Sequence, residues 1–281
     1  MTRLLACIDA SVYATSVVDH AAWAARRLAA AVEVLHVIQR KDAAAARNDL
    51  SGAVGLGAKS ALLEELARID EAEGRLAQER GRALLAAAGD RLMAAGVADI
   101  MTTHRHGGIV ETVIEREGDA ALVVIGKRGA SADFAQGHLG SKVERVVRQS
   151  VRPVLVASRT FVEPAQVVIA FDGGPSARKS VAFVASSPLC AGLGIHVVMS
   201  GSRCNDDYLA WARQALREHR DVKITFVSGE PAETIHAYLH ARPHSLLVMG
   251  AYGHSPLRAL LVGSTTTEMI RACRSPVLLF R

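Results

Sequence analysis

The sequence has no block of lysines and arginines and no basic patch studded with aromatics; aromatic residues make up only 4% of its 281 positions. Its +5 net charge comes from 33 basic and 28 acidic residues dispersed along the chain, the pattern of a solvated surface rather than of a nucleic-acid groove. No apolar run approaches the ~18 residues of a membrane span, and Arg3 brings a charge too early for a secretory leader, so the expectation is a soluble, cytoplasmic chain with neither nucleic acid nor membrane as partner. Cysteine is scarce. Cys7, Cys190, Cys204 and Cys273 show no CxxC spacing, which argues against a disulfide framework. Cys7 reads as a small buried hydrophobe, and Cys204, in a polar stretch, as the one candidate for a reactive thiol. Acid-rich metal clusters are missing, and His104-x-His106 reads as a surface pair on a strand, which leaves any metal ligands unassigned. Neither GxxxxGK[ST] nor GxGxxG occurs, so a phosphate cradle would have to be of another type.

What is present is an alternation of short apolar runs with helical patterns. Arg3 to Ile8 reads as a strand, 12–30 as a helix with Val17, Val18, Ala21, Trp23, Ala24 and Leu28 on one side, and Val32 to Ile38 as a second strand. Gln39 to Ser60 reads as a loop. Ala61 to Gly96 is helical, with Leu62, Leu66, Ile69, Leu76, Leu84, Leu85, Leu92 and Met93 as inward candidates and with Gly74 and Gly81 predicting a bend or two pieces, since glycine costs a helix interior about 1 kcal/mol. Strands at 99–105, 121–126 and 153–157 follow, separated by helices at 108–117 and 141–149. The same order then recurs: strands at 166–171, 195–199, 222–227, 246–249 and 276–280, with helices between them. Strands spaced by helices predict parallel sheets. The fold class is α/β, two tandem open-twisted parallel-sheet, Rossmann-like domains of five strands each, over residues 1–160 and 165–281, with 159–165 as the junction.

The strongest repeat is a strand followed by glycines and a helix start. Leu122 to Gly129 with His138 to Lys142 parallels Leu246 to Gly253 with Leu261 to Thr265. Glycines remove Cβ atoms where the backbone must approach a ligand closely, and a helix start leaves N–H groups unpaired, so such a place attracts phosphate. Ser264 and Thr265 can cap the helix or donate to a phosphate oxygen. Asp9 and Asp172 end the first strand of each half, where parallel sheets bind ligands.

These residues resemble the universal stress protein family, whose ATP-binding members carry G-x2-G-x9-G-[ST]; Gly250, Gly253, Gly263 and Ser264 match that spacing without a gap. The resemblance spans both halves and implies adenine-nucleotide α-hydrolase-like domains. It also implies ATP, with magnesium or manganese, as ligand. From it, Asp172 is expected near ribose or adenine, Met199 and Ser200 as backbone contacts to adenine, Met249 flanking the nucleotide, and Gly250, Gly253, Gly263, Ser264 and Thr265 holding ribose and phosphates. The first half offers Asp9, Gly126, Gly129, Gly140 and Ser141, but with ten residues between the second and third glycines and Asp133 among them, an anion that Lys127, Arg128 and Lys142 could offset. The second half is therefore expected to be the better site. In single-domain members pairs form through the final strand, and here the two final strands could pair within one chain; a homodimer through the exposed part of the 61–96 helix is left open.

Three functional readings follow. The first is a regulatory ATP-binding protein of the stress response, acting through nucleotide-dependent shape or partner contacts. The second is a slow ATPase or nucleotide hydrolase in the same crevice; a third reading has the first half bind another small ligand. No residue is assigned as catalytic, because Ser141 and Ser264 start helices, where capping explains them.

Overall fold

The computed structural model describes residues 2–39, 56–129, 141–251 and 265–281, without the side chains of 56–63, 141 and 265. In the first half β1 (Arg3–Ile8), α1 (Ala14–Leu28), β2 (Ala31–Ile38), α2 (Leu56–Ala94), β3 (Ile100–His106), α3 (Ile109–Arg116), β4 (Ala120–Gly126), α4 (Ser141–Gln149) and β5 (Val154–Ala157) follow one another. The second half runs β6 (Gln166–Ala170), α5 (Pro175–Ser186), β7 (Gly194–Gly201), α6 (Asp206–Ala215), β8 (Val222–Ser228), α7 (Pro231–His240), β9 (Ser245–Gly250), α8 (Thr265–Ala272) and β10 (Val277–Phe280). No helix among the described residues is long and apolar enough to cross a membrane.

The strands form one sheet in the order β3-β2-β1-β4-β5-β10-β9-β6-β7-β8. Each half is parallel throughout. The halves join where β5 and β10 pair antiparallel, with Val156 opposite Val277, Leu155 opposite Leu278 and Val154 opposite Leu279. This is the intramolecular pairing of final strands that the sequence allowed. It sets the two sets of strands in opposite directions, so their carboxyl ends, and the crevices there, open at opposite ends of the slab.

Side chains of the strands alternate between two buried layers. Leu4, Ala6 and Ile8, with Leu122 and Val124, face α1, α2 and α5, whereas Leu5, Cys7, Val123 and Ile125 face α3, α4, α7 and α8. Continuous apolar runs are therefore required, because both faces are covered. Cys7, Cys190 and Cys273 lie in these layers as free thiols, and Cys204 is exposed. Burial raises the thiol of each buried cysteine, that of Cys190 to about 12.

One acid is fully buried in the sheet. Glu33 of β2 receives hydrogen bonds from Arg116 Nε (2.6 Å) and Thr103 Oγ1 (2.7 Å) and an ion pair from Arg3. Burial would raise its carboxyl, but the bonds from Arg116 and Thr103 and the charges of Arg116 and Arg3 outweigh it and hold the group below its ordinary value.

The long helix departs from expectation. It begins at Leu56, inside the segment expected to be a loop, and continues unbroken through Gly74 and Gly81 to Ala94. Gly81 is a docking notch rather than a break: a Cβ there would meet His104 Cε1 at 2.5 Å and His36 Cδ2 at 2.8 Å. Those two histidines face each other across β2 and β3, with ring centroids 5.2 Å apart, and α2 rests on them. His104 is thus half-buried under the helix rather than a surface residue, and His106 stacks beside it at 6.2 Å. Among the described residues no three metal-ligating side chains converge on a metal position. Leu85 and Leu92 are buried as expected, but Ile69, Leu76 and Met93 are exposed. Past Gln78 the N-terminal part of α2 has left the sheet.

Two measurements check these contacts. On an open helix face Gly→Ala stabilises by about 1 kcal/mol; at Gly81 the added methyl meets the imidazoles, so Gly81→Ala is expected to destabilise by about 1–3 kcal/mol in urea unfolding, with much of the loss recovered in Gly81→Ala/His104→Ala. Glu33→Gln is expected to cost about 2–3 kcal/mol at pH 7, because Arg3 and Arg116 lose their counter-charge. Since the folded carboxyl titrates below its unfolded value of about 4.3, its contribution is present above that pH and vanishes as pH falls through the folded value, so the stability gap between wild type and variant should narrow steadily on acidification below the unfolded value.

Candidate functional site

In the first half the strand order reverses between β2-β1 and β4, and a crevice opens there beyond the strand ends. The turn leaving β1 is held by its own side chains: Asp9 Oδ1 accepts from the Ser11 N–H (3.1 Å), and Ser11 Oγ accepts from the Tyr13 N–H (3.3 Å). That turn brings the start of α1 over the end of β4. Gly126 permits the approach, since a Cβ there would lie 2.8 Å from Tyr13 Cβ, and Gly129 lets the following loop pass over Asp9, whose Oδ2 would be 2.8 Å from a Cβ. Asp9, Ser11, Tyr13, Arg128, Gly129 and Lys142 line a cavity of about 100 Å³ with Val37, Ile109 and Ile125 as its apolar wall. Pockets for whole small ligands start at about 300 Å³, so this cavity accommodates part of a nucleotide rather than all of it.

Two cations serve the crevice. Arg128 contributes a buried Nε with no hydrogen-bond partner among the described residues. Lys142, on the first turn of α4, donates to Gln39 Oε1 (2.5 Å) at the rim. Lys127 does not join them. Its Nζ donates to the carbonyl of Cys273 (2.7 Å), immediately after α8 of the second half, where a cation meets the partial negative charge of a helix end. Burial above all, with the charge of Arg128, lowers its amine to about 8. The expectation that Lys127 offsets Asp133 near phosphates is therefore corrected: it ties the halves together. Because the halves run in opposite directions, the C-terminal end of α8 lies beside the carboxyl end of β4. At the corresponding place after β9 the chain carries Ala251, fully buried.

The second half repeats the device with other side chains. Asp172 Oδ1 accepts from the Gly174 N–H (2.9 Å). Gly173 takes φ +77°, a left-handed conformation suited to glycine, with the Tyr208 ring packed against it. Arg178 holds the Gly173 carbonyl (2.9 Å) and lies 4.5 Å from the Trp211 ring centroid, which stacks on Phe171. Gly250 is where the first turn of α5 presses on β9; a Cβ there would stand 2.7 Å from the Ala177 backbone nitrogen. Met199 and Met249 are both buried, in opposite layers of the core, so what they present at the strand ends is main chain. Ser200 Oγ donates to the Gly229 carbonyl (3.1 Å).

The structure thus brings Asp9, Gly126 and Gly129 into one crevice and sets Asp172, two residues past β6, and Gly250, the last residue of β9, at the ends of adjacent strands. Ser141 and Thr265 open their helices as expected. Gly140, Gly253, Gly263, Ser264 and Asp133 lie outside the described residues. Ser11 and Tyr13 were not anticipated. A serine two residues after a strand-ending aspartate is a legible turn signal, whereas the role of Tyr13 depends on β4, which is distant in sequence.

The chain matches the universal stress protein family model over residues 1–158 and 204–281. Universal stress protein Slr1230 of Synechocystis sp. is 34% identical over 287 residues, covering 100% of both chains. Universal stress protein Rv2005c of Mycobacterium tuberculosis is 26% identical over 196 residues, 61% of this chain and 65% of that protein. Among solved structures, that of a universal stress protein from Archaeoglobus fulgidus superposes with a TM-score of 0.72 at 21% identity, covering 99% of this chain and 98% of that one, a likeness of fold. Matched by the family model over most of its length, and by a relative along all of it, the chain belongs to the universal stress protein family.

Proposed function

We propose that this is an ATP-binding regulatory protein of the stress response, in which nucleotide occupancy changes the contacts between the two halves. The observation that supports the reading is the first-half crevice, where the buried Nε of Arg128 has no acceptor among the described residues and lies beside glycines and a strand-ending aspartate. A desolvated cationic donor without a partner is costly, and a phosphate or ribose oxygen is the acceptor that would satisfy it. Lys142 on the first turn of α4 adds a second positive charge where a helix start already favours anions. Asp9, and Asp172 in the second half, stand where ribose hydroxyls or adenine would reach them. In the second half the pattern Gly250-x2-Gly253-x9-Gly263-Ser264-Thr265 supports a phosphate cradle at the start of α8. A magnesium or manganese ion would enter with the triphosphate, which supplies oxygen ligands of its own.

Lys127 supplies the regulatory link. It belongs to the loop that forms the first crevice, yet it holds the end of α8, the helix whose start follows Gly263. A ligand that moves the 126–129 loop therefore acts on α8, and a phosphate drawn to the start of α8 acts back on the loop, with the reciprocity that linkage demands.

Isothermal titration of the full chain with ATP and magnesium checks both statements. Arg128→Ala should weaken one class of site by roughly 10- to 100-fold, the worth of a charge-assisted hydrogen bond, and Gly263→Val should abolish the other. Absence of binding by the folded wild-type protein at either half sinks the proposal. Lys127→Met should leave two sites that titrate independently, whereas wild type shows occupancy of one shifting the affinity of the other several-fold.

A further inference from the structure

The point at which α2 leaves the sheet rests on imidazole. Counting back from its C-terminal end, Leu92, Ala88, Leu85 and Gly81 are buried against the strands, and none of residues 64–80 is buried. Gly81 is therefore the last docked position, and three histidines lie beneath that turn. A Cβ at Gly81 would collide with His104 Nε2 and stand 2.8 Å from His36 Cδ2. His106, stacked beside His104, accepts through Nε2 from Gln78 Nε2 (3.5 Å). Each of these contacts is made by an uncharged ring. His36 Nδ1 donates to the Ile8 carbonyl (3.0 Å), so the neutral ring carries its proton there and leaves Nε2 bare. His106 Nε2 is bare too, because the amide nitrogen of Gln78 can only donate. His104 Nε2 is buried with no hydrogen-bond partner among the described residues, so a proton on it would be a desolvated, unsatisfied donor. The charged groups that face His104 are His36 from β2, His106 from its own strand and Arg82 from α2, and all three oppose that proton. Burial above all, then these charges, holds the His104 imidazole below its ordinary value.

We infer that the row His36, His104 and His106 is a pH-sensitive latch on α2: acid charges the row and lifts the turn around Gly81 from the sheet, so that the helix parts from the strands at Leu85, one turn further on. Because the folded imidazole of His104 titrates below its unfolded value of about 6.5, the docked turn takes up fewer protons than the released one. Docking is complete above the unfolded value and is lost as pH falls through the folded one. Release stops at Leu85, since Leu85, Ala88 and Leu92 are held by apolar burial and Arg91 by its ion pair with Asp19 of α1 (2.5 Å). The first crevice does not open with it. His36 Nδ1 carries a hydrogen in both charge states and keeps its bond to Ile8, the residue before Asp9. What the latch sets is the length of the free arm of α2.

Amide hydrogen exchange of the full chain tests this, read by peptide and corrected for the intrinsic effect of pH on the exchange rate. From about pH 7.5 to about pH 5, opening of residues 77–84 should rise several-fold while that of 85–94 stays level. His36→Asn/His104→Gln keeps an amide donor toward Ile8 and takes up no proton at either position, so in this variant 77–84 should stay protected at both values. Imidazole NMR of the wild type gives a reading that needs no variant: His104 should titrate below the value of a histidine in an unfolded peptide, with the same midpoint as the loss of protection. Four results overturn the inference: protection of 77–84 that does not change with pH, loss spread equally over 85–94, a rise that persists in the double variant, or a His104 midpoint at or above the peptide value.

Discussion

The antiparallel ladder between β5 and β10 is the constraint on which the rest of the molecule depends. Two parallel half-sheets would each end in an edge strand with unpaired N–H and C=O groups, a template for association. Pairing those edges within one chain removes both and joins the halves into one ten-stranded sheet. The ladder also fixes direction. Strands of the two halves point oppositely, so their crevices open at opposite ends while the last turn of α8 comes beside the first crevice. Lys127 can reach Cys273 only in that arrangement.

Duplication supplied the frame, and divergence shows in what each half places on it. The start of the helix after each half's first strand, α1 or α5, packs on Gly126 in one half and on Gly250 in the other, a shared requirement for no side chain at the strand end. Around that common point the halves differ. The first has a cavity with a guanidinium nitrogen that no described residue partners, and the second packs Tyr208 and Trp211 about Gly173 and Arg178. The second crossover is a helix of 39 residues in one half and of 10 in the other. Lysine follows the glycine in one and alanine in the other, so the tie between halves is built from one side.

Much of the architecture was legible in the sequence because it rests on local pattern. Apolar runs such as Leu122 to Ile125 and Leu246 to Met249 can only be strands covered on both faces, and their ends are marked by glycine. Asp9 and Asp172 were recognisable as strand ends for the same reason. The failures concern contacts made at long range. Gly81 reads as a helix breaker until His36 and His104 are seen beneath it. Lys127 reads as an offset to Asp133 because it adjoins the glycines, yet its acceptor lies 146 residues further on. Ile69 and Leu76 read as core because apolar periodicity reveals a stripe without revealing what it faces.

The buried thiols have a consequence for the kind of signal the protein can register. Oxidants such as peroxide attack thiolate, and reactive cysteines are those whose ionisation is eased and whose sulfur is accessible. Cys7, Cys190 and Cys273 have neither property: each is buried, and that burial raises its thiol above the ordinary value. While the fold persists these three thiols are shielded from an oxidant in solution, and Cys204 is the sulfur such an oxidant meets first.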